Sequence, residues 1–239
     1  MSVAPPLLAS SRPLALAFAS TFVVAAMVGF STPSLGAASL SAVAASPPPG
    51  AGAPAQPAAD TLTWVVAEEG NEARYRVREQ LARLDFPNDA VGVTQGVQGR
   101  IVFDEGGQVV REASRFVIDL AGLASDSDRR DNFLRRNTLS TSDHPDAVFV
   151  PTAIRGLPNP IPESGEASVV MEGQLTIREA TRPVEWDVEL EFWEGAVIGQ
   201  ARTRFTFGDF DLEVPSVGSV LSIRDDIRLE YDFRLVPAG

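Results

Sequence analysis

The side chains that could carry out catalysis are few in this 239-residue chain. It has no cysteine, and its single histidine, His144, lies between Asp143 and Pro145. A nucleophilic triad needs a base within hydrogen-bond reach of a hydroxyl or thiol, and the sequence indicates a loop histidine there instead. One histidine without cysteine also disfavours a zinc or copper site. We therefore predict no catalytic residue, no metal site and no cofactor.

Three aspartates of Ser125–Asn137 have the oxygen ligands that calcium prefers. Arginines stand between them and supply counter-charges, and the glycine of a calcium loop is missing. Ser125 or Ser127 would cap a helix whose acidic start and basic end suit the helix dipole. The segment therefore predicts a capped, ion-paired helix.

The same segment contains the one dense basic patch of the chain, Arg129, Arg130, Arg135 and Arg136. Guanidinium groups offer bidentate bonds to a phosphate, so Arg129, Arg130 and Arg136 are candidates for holding a lipid head group. The alternative is that these arginines pair with the neighbouring aspartates. This alternative is favoured, because exposed ion pairs on helices are common.

The segment Arg182–Glu194 alternates strictly between large apolar and acidic side chains. Successive side chains of a strand point to opposite faces, so one face is apolar and the other carries four carboxylates. The carboxylates need water and the apolar groups need burial. The obvious acidic residues therefore lie on outward faces, although paired carboxylates for glycoside chemistry stay an open alternative.

The remaining elements continue this β pattern. We predict a helical turn at Glu79–Leu84 and a hairpin of strands Val93–Asp104 and Val109–Leu120. Towards the C-terminus we predict a strand at Val197–Phe207, a long loop at Asp209–Ser222 and a last strand at Ile227–Leu235. About eight strands joined mostly by short turns, with one helical insertion, favour an all-β antiparallel barrel or sandwich over an α/β fold. The two long alternating strands near the end of the chain favour a barrel.

The first quarter of the chain has a different composition. Leu14–Phe30 is an uncharged apolar run preceded by Arg12 and followed by small residues, which is typical of an export signal. We predict an export signal over residues 1–37, which would be a membrane anchor if uncleaved. An Ala/Pro-rich disordered linker would follow over 38–59, and one domain over 60–239. The predicted localisation is periplasmic or secreted.

The charge balance limits the partners. The net charge is −12 and lysine is absent, so the chain repels nucleic acid and anionic membrane surfaces. We predict no nucleic-acid partner, and membrane contact only through an uncleaved N-terminal segment.

Several segments in order resemble the YceI-like family of exported β-barrel proteins. They are Ala73–Tyr75, Gly99–Asp104, Phe116–Leu120, Arg130–Arg135, Asp143–Phe149, Gly173–Ile177, Thr181–Val184 and Asp209-Phe210 with the final strand. The resemblance implies a lipocalin-like antiparallel barrel whose apolar interior binds a polyisoprenoid or similar long-chain lipid, without catalytic activity. Two departures are the missing glycine in Arg178–Thr181 and a longer Glu79–Val93 segment.

Periodicity alone indicates that the inward-facing apolar residues form an ordinary hydrophobic core. The resemblance to the YceI-like family implies instead that they line a lipid pocket. The predicted lining residues are Trp186, Val188, Leu190, Phe192, Phe205, Phe207, Leu229, Tyr231, Phe233, Phe116, Ile118 and Leu175. The alternative function is a structural or adhesion module whose barrel is solidly packed. A cavity in the barrel separates the two.

Overall fold

The computed structural model describes residues 61–239. The predicted export signal (1–37) and linker (38–59) lie outside the described residues. The strands are β1 Leu62–Val66, β2 Glu72–Leu81, β3 Asn88–Thr94, β4 Val97–Phe103, β5 Arg115–Asp119, β6 Ala124–Ser125, β7 Asp146–Arg155, β8 Gly165–Ile177, β9 Ala180–Trp193, β10 Ala196–Phe205 and β11 Val220–Pro237. The helical elements are 3₁₀ turns at Arg111–Ala113 and Phe207–Phe210, helix α1 at Asp128–Phe133 and a π-helical turn at Leu134–Thr138.

Eight strands close into an antiparallel ring in the order β1-β4-β5-β7-β8-β9-β10-β11. The ring closes because the C-terminal end of β11 pairs with β1. The rest of β11 pairs with β2 on the same edge, and β3 and β6 continue outward from β2. The predicted all-β antiparallel barrel of about eight strands with one helical insertion is confirmed.

The alternation of Arg182–Glu194 is confirmed in β9. Glu185, Asp187 and Glu189 are exposed, whereas Val188 and Phe192 are buried. The outer carboxylates meet arginines of other strands, as in the 3.3 Å contact between Arg155 Nη2 of β7 and Glu185 Oε2 of β9, which crosses the outer face of β8. The pleat of the strand thus places its charges on the outside of the barrel and its apolar residues inside.

The predicted helical turn at Glu79–Leu84 is wrong, because β2 continues to Leu81 and pairs with the start of β11. The predicted single strand Val93–Asp104 is two strands. Thr94 Oγ1 accepts a hydrogen bond from Gly96 N at 3.1 Å, which turns the chain between β3 and β4.

The second arm of the predicted hairpin is shorter than Val109–Leu120, since only Arg115–Asp119 forms strand β5. Ser114 explains the difference. Its Oγ donates to Val110 O at 2.8 Å and accepts from Val102 N at 2.9 Å, so a side chain replaces the ladder bonds of this segment.

The predicted loop Asp209–Ser222 is also shorter, because β11 begins at Val220. The predicted strand Val197–Phe207 ends earlier, at Phe205, since Thr206 and Asp209 form a capping box that starts the 3₁₀ turn Phe207–Phe210. Within residues 61–239, no helix has the length and apolar character needed to cross a membrane.

Candidate functional site

An apolar cavity of about 200 Å³ lies inside the barrel. Its wall contains nine of the twelve predicted lining residues, Phe116, Ile118, Leu175, Trp186, Phe205, Phe207, Leu229, Tyr231 and Phe233. The volume is below the 300–1,000 Å³ that is common for small-molecule pockets, so the chamber is narrow. The interior is nevertheless not solidly filled.

The other three predicted lining residues, Val188, Leu190 and Phe192, lie outside the cavity wall and pack in the core. The barrel is tight at their level. A Cβ on Gly199, which is opposite Leu190, would approach Glu189 O to 2.2 Å and the Phe233 ring to 2.8 Å. The cavity therefore occupies the half of the barrel near α1, which we call the helix end, and the opposite end is packed.

A lid covers the cavity at the helix end. Leu134 and Thr138 of the π-helical turn, with Leu139 after it, contribute to the cavity wall. The helix follows from the sequence pattern, whereas the closing of the chamber by its apolar side depends on how it packs on the barrel. The capping of α1 by Ser127 is as predicted, since Ser127 Oγ accepts from Arg130 N at 3.4 Å.

Arg130 connects the lid to the barrel. Its Nη2 lies 2.8 Å from Oε1 of Glu79 on β2, and its Nη1 pairs with Asp126. Although burial alone would lower the pKa of Arg130, the bonds to Asp126 and Glu79 raise it above its ordinary value. Glu79 is only 6% exposed. The lid is therefore attached through a largely buried ion pair.

Asp131 is a second buried carboxylate at the lid, and the sequence analysis did not predict its burial. It accepts hydrogen bonds from Ser125 Oγ at 2.6 Å and Ser125 N at 3.0 Å, which attaches α1 to β6. The position of Asp131 in the sequence does not indicate its burial, because burial of this carboxylate depends on how the helix packs on the barrel.

The three candidate head-group arginines do not line the cavity. Arg130 has two carboxylate partners, whereas Arg129 and Arg136 are exposed on the outer side of the lid. Arg136 Nε donates to Asn132 O at 3.2 Å. Arg74 and Glu230 do border the cavity, but their charged groups pair with each other at 3.4 Å.

The polar atoms of the wall differ in their partners. Tyr231 Oη donates to Asn71 Oδ1 at 2.8 Å. Tyr75 Oη and Trp186 Nε1 are buried and have no hydrogen-bond partner among the described residues. Burial raises the pKa of both tyrosines, so both hydroxyls stay neutral at physiological pH. The chamber therefore presents an uncharged surface.

His144 Nε2 lies 3.6 Å from Glu179 Oε1 in an exposed turn region. Between residues 61 and 239, the structure has no cluster of three or more His, Asp or Glu side chains that could hold a metal ion. The cavity beneath the lid can bury an apolar group away from water.

The comparisons with known proteins agree with this architecture. The family model described as the YceI-like domain matches residues 64–235. None of the curated proteins that were compared matches the chain.

Several solved structures are similar to this chain at low sequence identity. A polyisoprenoid binding domain from Saccharophagus degradans, implicated in plant cell wall breakdown, is 10% identical with a TM-score of 0.58, over 74% of this chain and 99% of that one. Burkholderia cenocepacia BcnA is 14% identical with a TM-score of 0.49, over 69% and 95%. The YCEI protein of Campylobacter jejuni is 19% identical with a TM-score of 0.48, over 67% and 91%.

Proposed function

The chain belongs to the YceI-like family, and we propose that its barrel binds one long apolar chain, a polyisoprenoid or similar lipid, beneath the lid. The observation that carries this proposal is the narrow cavity, whose wall is aromatic and aliphatic. The Saccharophagus domain with the same fold is named for binding polyisoprenoids. No step of chemistry is part of the proposed function.

The energetics favour such a ligand over a polar one. Each methylene group transferred from water into the cavity contributes about 0.8 kcal/mol, so a long chain binds through its length alone. A charged group inside would lose its hydration without a charged partner, because Arg74 and Glu230 already neutralise each other. A head group would therefore remain at the helix end, outside the apolar chamber.

We also propose that the protein acts after export, in the periplasm or as a secreted protein. The support is the apolar run Leu14–Phe30 with Arg12 before it. Fractionation of cells that produce the full chain, followed by N-terminal sequencing, tests both export and cleavage. A cytoplasmic, uncleaved product would contradict the export proposal.

The ligand is tested by purifying the protein, extracting it with organic solvent and analysing the extract by mass spectrometry. We expect an isoprenoid or other long-chain lipid at up to one molecule per barrel. A protein that is purified free of lipid should take up a radiolabelled isoprenoid. A lipid-free protein that takes up no chain would contradict the proposal and support the packed structural module.

A further inference from the structure

Large apolar side chains are exposed mainly at the helix end of the barrel. The exposed fractions are 44% for Leu84, 80% for Phe86, 44% for Val214 and 68% for Leu221. Leu84 and Phe86 lie in the turn between β2 and β3, and Leu221 lies at the start of β11. We call Leu84, Phe86 and Leu221 the apolar tip. Scattered exposed leucines are common, but a grouped set on protruding turns indicates an interaction site.

The backbone holds the apolar tip together. Val220 pairs with Leu81, and Ala82 N donates to Ser219 O at 3.1 Å, so the turn after β2 lies beside the start of β11. Gln80 Nε2 donates to Leu84 O at 2.6 Å and fixes this turn. The register shifts between Val220 and Ser222, where Leu221 is the extra residue of a β-bulge. These contacts place the turn that carries Leu84 and Phe86 beside the segment that carries Leu221, and all three side chains stay exposed.

The apolar tip adjoins the lid. Glu79, two residues before β2 ends at Leu81, is the partner of lid residue Arg130. Val77, on the same strand, belongs to the cavity wall. The tip therefore extends from the wall of the cavity, next to the element that closes it.

We propose that the apolar tip inserts into the surface of a lipid bilayer and brings the lid end of the cavity against the membrane. This inference rests on the proposed function, because a chain that is insoluble in water needs an apolar path between bilayer and cavity. It goes beyond the prediction from the sequence, which was membrane contact only through an uncleaved N-terminal segment. The opposite end of the barrel, where Trp193 and Leu62 lie, stays in water.

A bilayer fits the tip better than a protein partner does. A stable protein interface buries at least about 1,000 Å², which needs a broad surface, whereas the tip is three side chains on two neighbouring segments. Two arginines lie near the tip: Arg83 directly precedes Leu84, and Arg224 is three residues after Leu221. Among residues 61–239, neither has a carboxylate within ion-pair distance. Such arginines can reach lipid phosphates while apolar neighbours insert below them.

The net charge near the tip is small, because Asp85 lies between Leu84 and Phe86, and Asp225 and Asp226 follow Arg224. We therefore expect insertion to depend on apolar contact and to occur on phosphatidylcholine vesicles without anionic lipid. This distinguishes the tip from a polybasic surface, whose binding requires anionic lipid.

The test uses the full chain, which has no cysteine and so accepts a single labelling site. Phe86→Cys carries an environment-sensitive fluorophore, and Trp193→Cys, 55% exposed at the opposite end, is the matched control. With phosphatidylcholine vesicles, we expect a blue shift and quenching by brominated lipid at position 86 and neither at position 193. Because the readout is local, attachment through the N-terminal segment does not mimic it.

Three results would overturn the inference: equal signals at both positions, no shift at position 86, or a shift that rises with protein concentration without vesicles, which would indicate a second copy on the tip. Lipid carriage is judged separately by mass spectrometry. A tip that inserts while the barrel stays empty keeps the docking inference and contradicts the proposed function. A barrel that holds lipid while the tip stays in water supports the proposed function and contradicts the docking inference.

A functional variant gives a second readout. Phe86→Ser with Leu221→Ser should slow lipid uptake from vesicles at least tenfold, while lipid presented in detergent still binds. Ser216→Ala with Ser219→Ala, in the adjacent loop, is the control and should leave uptake unchanged. Uptake from vesicles at the unaltered rate in the tip variant would contradict the inference.

Discussion

Arg130 of α1 and Glu79 of β2 are 51 positions apart in the chain, and their Nη2 and Oε1 atoms lie 2.8 Å apart. Glu79 is 6% exposed, so its carboxylate depends on this arginine and on the longer 3.5 Å bond from Asn88 Nδ2. The ion pair therefore connects the lid with β2, the strand that carries part of the cavity wall.

Removing Arg130 should destabilise the protein through the charge that it leaves behind. Arg130→Ala leaves Glu79 buried without a counter-charge, which costs about 3–5 kcal/mol. Urea unfolding followed by circular dichroism measures the free energy. Arg129→Ala is the control, because Arg129 is exposed, and should change it by less than about 0.5 kcal/mol. Equal losses in the two variants would show that the ion pair does not hold the lid.

Trp186 and Phe192 lie on the same face of β9, yet only Trp186 borders the cavity. Trp186→Ala and Phe192→Ala should each destabilise the fold by about 3–5 kcal/mol, because both remove a large apolar group. We expect only Trp186→Ala to weaken lipid retention, measured as bound lipid per folded protein. Glu189→Ala, on the outer face, should retain lipid like the unaltered protein. Loss of lipid in Phe192→Ala to the same extent would place the ligand deeper than the cavity.

The two wall tyrosines should respond in opposite ways to loss of their hydroxyl groups. Tyr231→Phe removes the hydrogen bond to Asn71 and should lower the free energy of unfolding by about 1 kcal/mol. Tyr75→Phe removes a buried hydroxyl that has no partner, so it should leave stability unchanged or raise it. Urea unfolding of the lipid-free protein compares them. A loss of similar size in Tyr75→Phe would mean that its hydroxyl is satisfied in solution.

Acid should weaken the sheet that joins β2, β3 and β11. Burial by itself would raise the pKa of Asp89, but hydrogen bonds from Arg78 and Arg228 lower it below its ordinary value. Because the folded-state pKa is depressed, this contribution is present above the unfolded value of about 3.9 and is lost as pH falls through the folded value. Urea midpoints from pH 7 to pH 2 should therefore fall below about pH 4.

The control for this pH dependence is Asp89→Asn. It should be less stable than the unaltered protein at pH 7, and the difference between them should shrink as the pH falls and Asp89 takes up a proton. A difference that stays constant over this range would assign the acid sensitivity to other carboxylates, such as Asp232, whose pKa is also lowered by its partners Gln200 and Arg74.

The alternation of side chains was enough to predict the sheet faces and the fold class. Glu189 and Val188 point to opposite sides of β9 because a strand has a period of two, and this holds before any tertiary contact forms. The Ser127 cap of α1 was likewise local information, since it needs only a hydroxyl and the amide three residues on.

The alternation of side chains does not indicate how far along the barrel an inward-facing residue lies. Only the tertiary structure decided this position. Phe192 and Trp186 have the same pattern in sequence, but Phe192 packs in the core, where the Phe233 ring lies close to Gly199, whereas Trp186 borders the cavity. The lid is a second case, because the meeting of Arg130 with Glu79 depends on how a distant helix packs. The sequence by itself determined which side chains face inward, and only the assembled barrel determined which of them border a cavity.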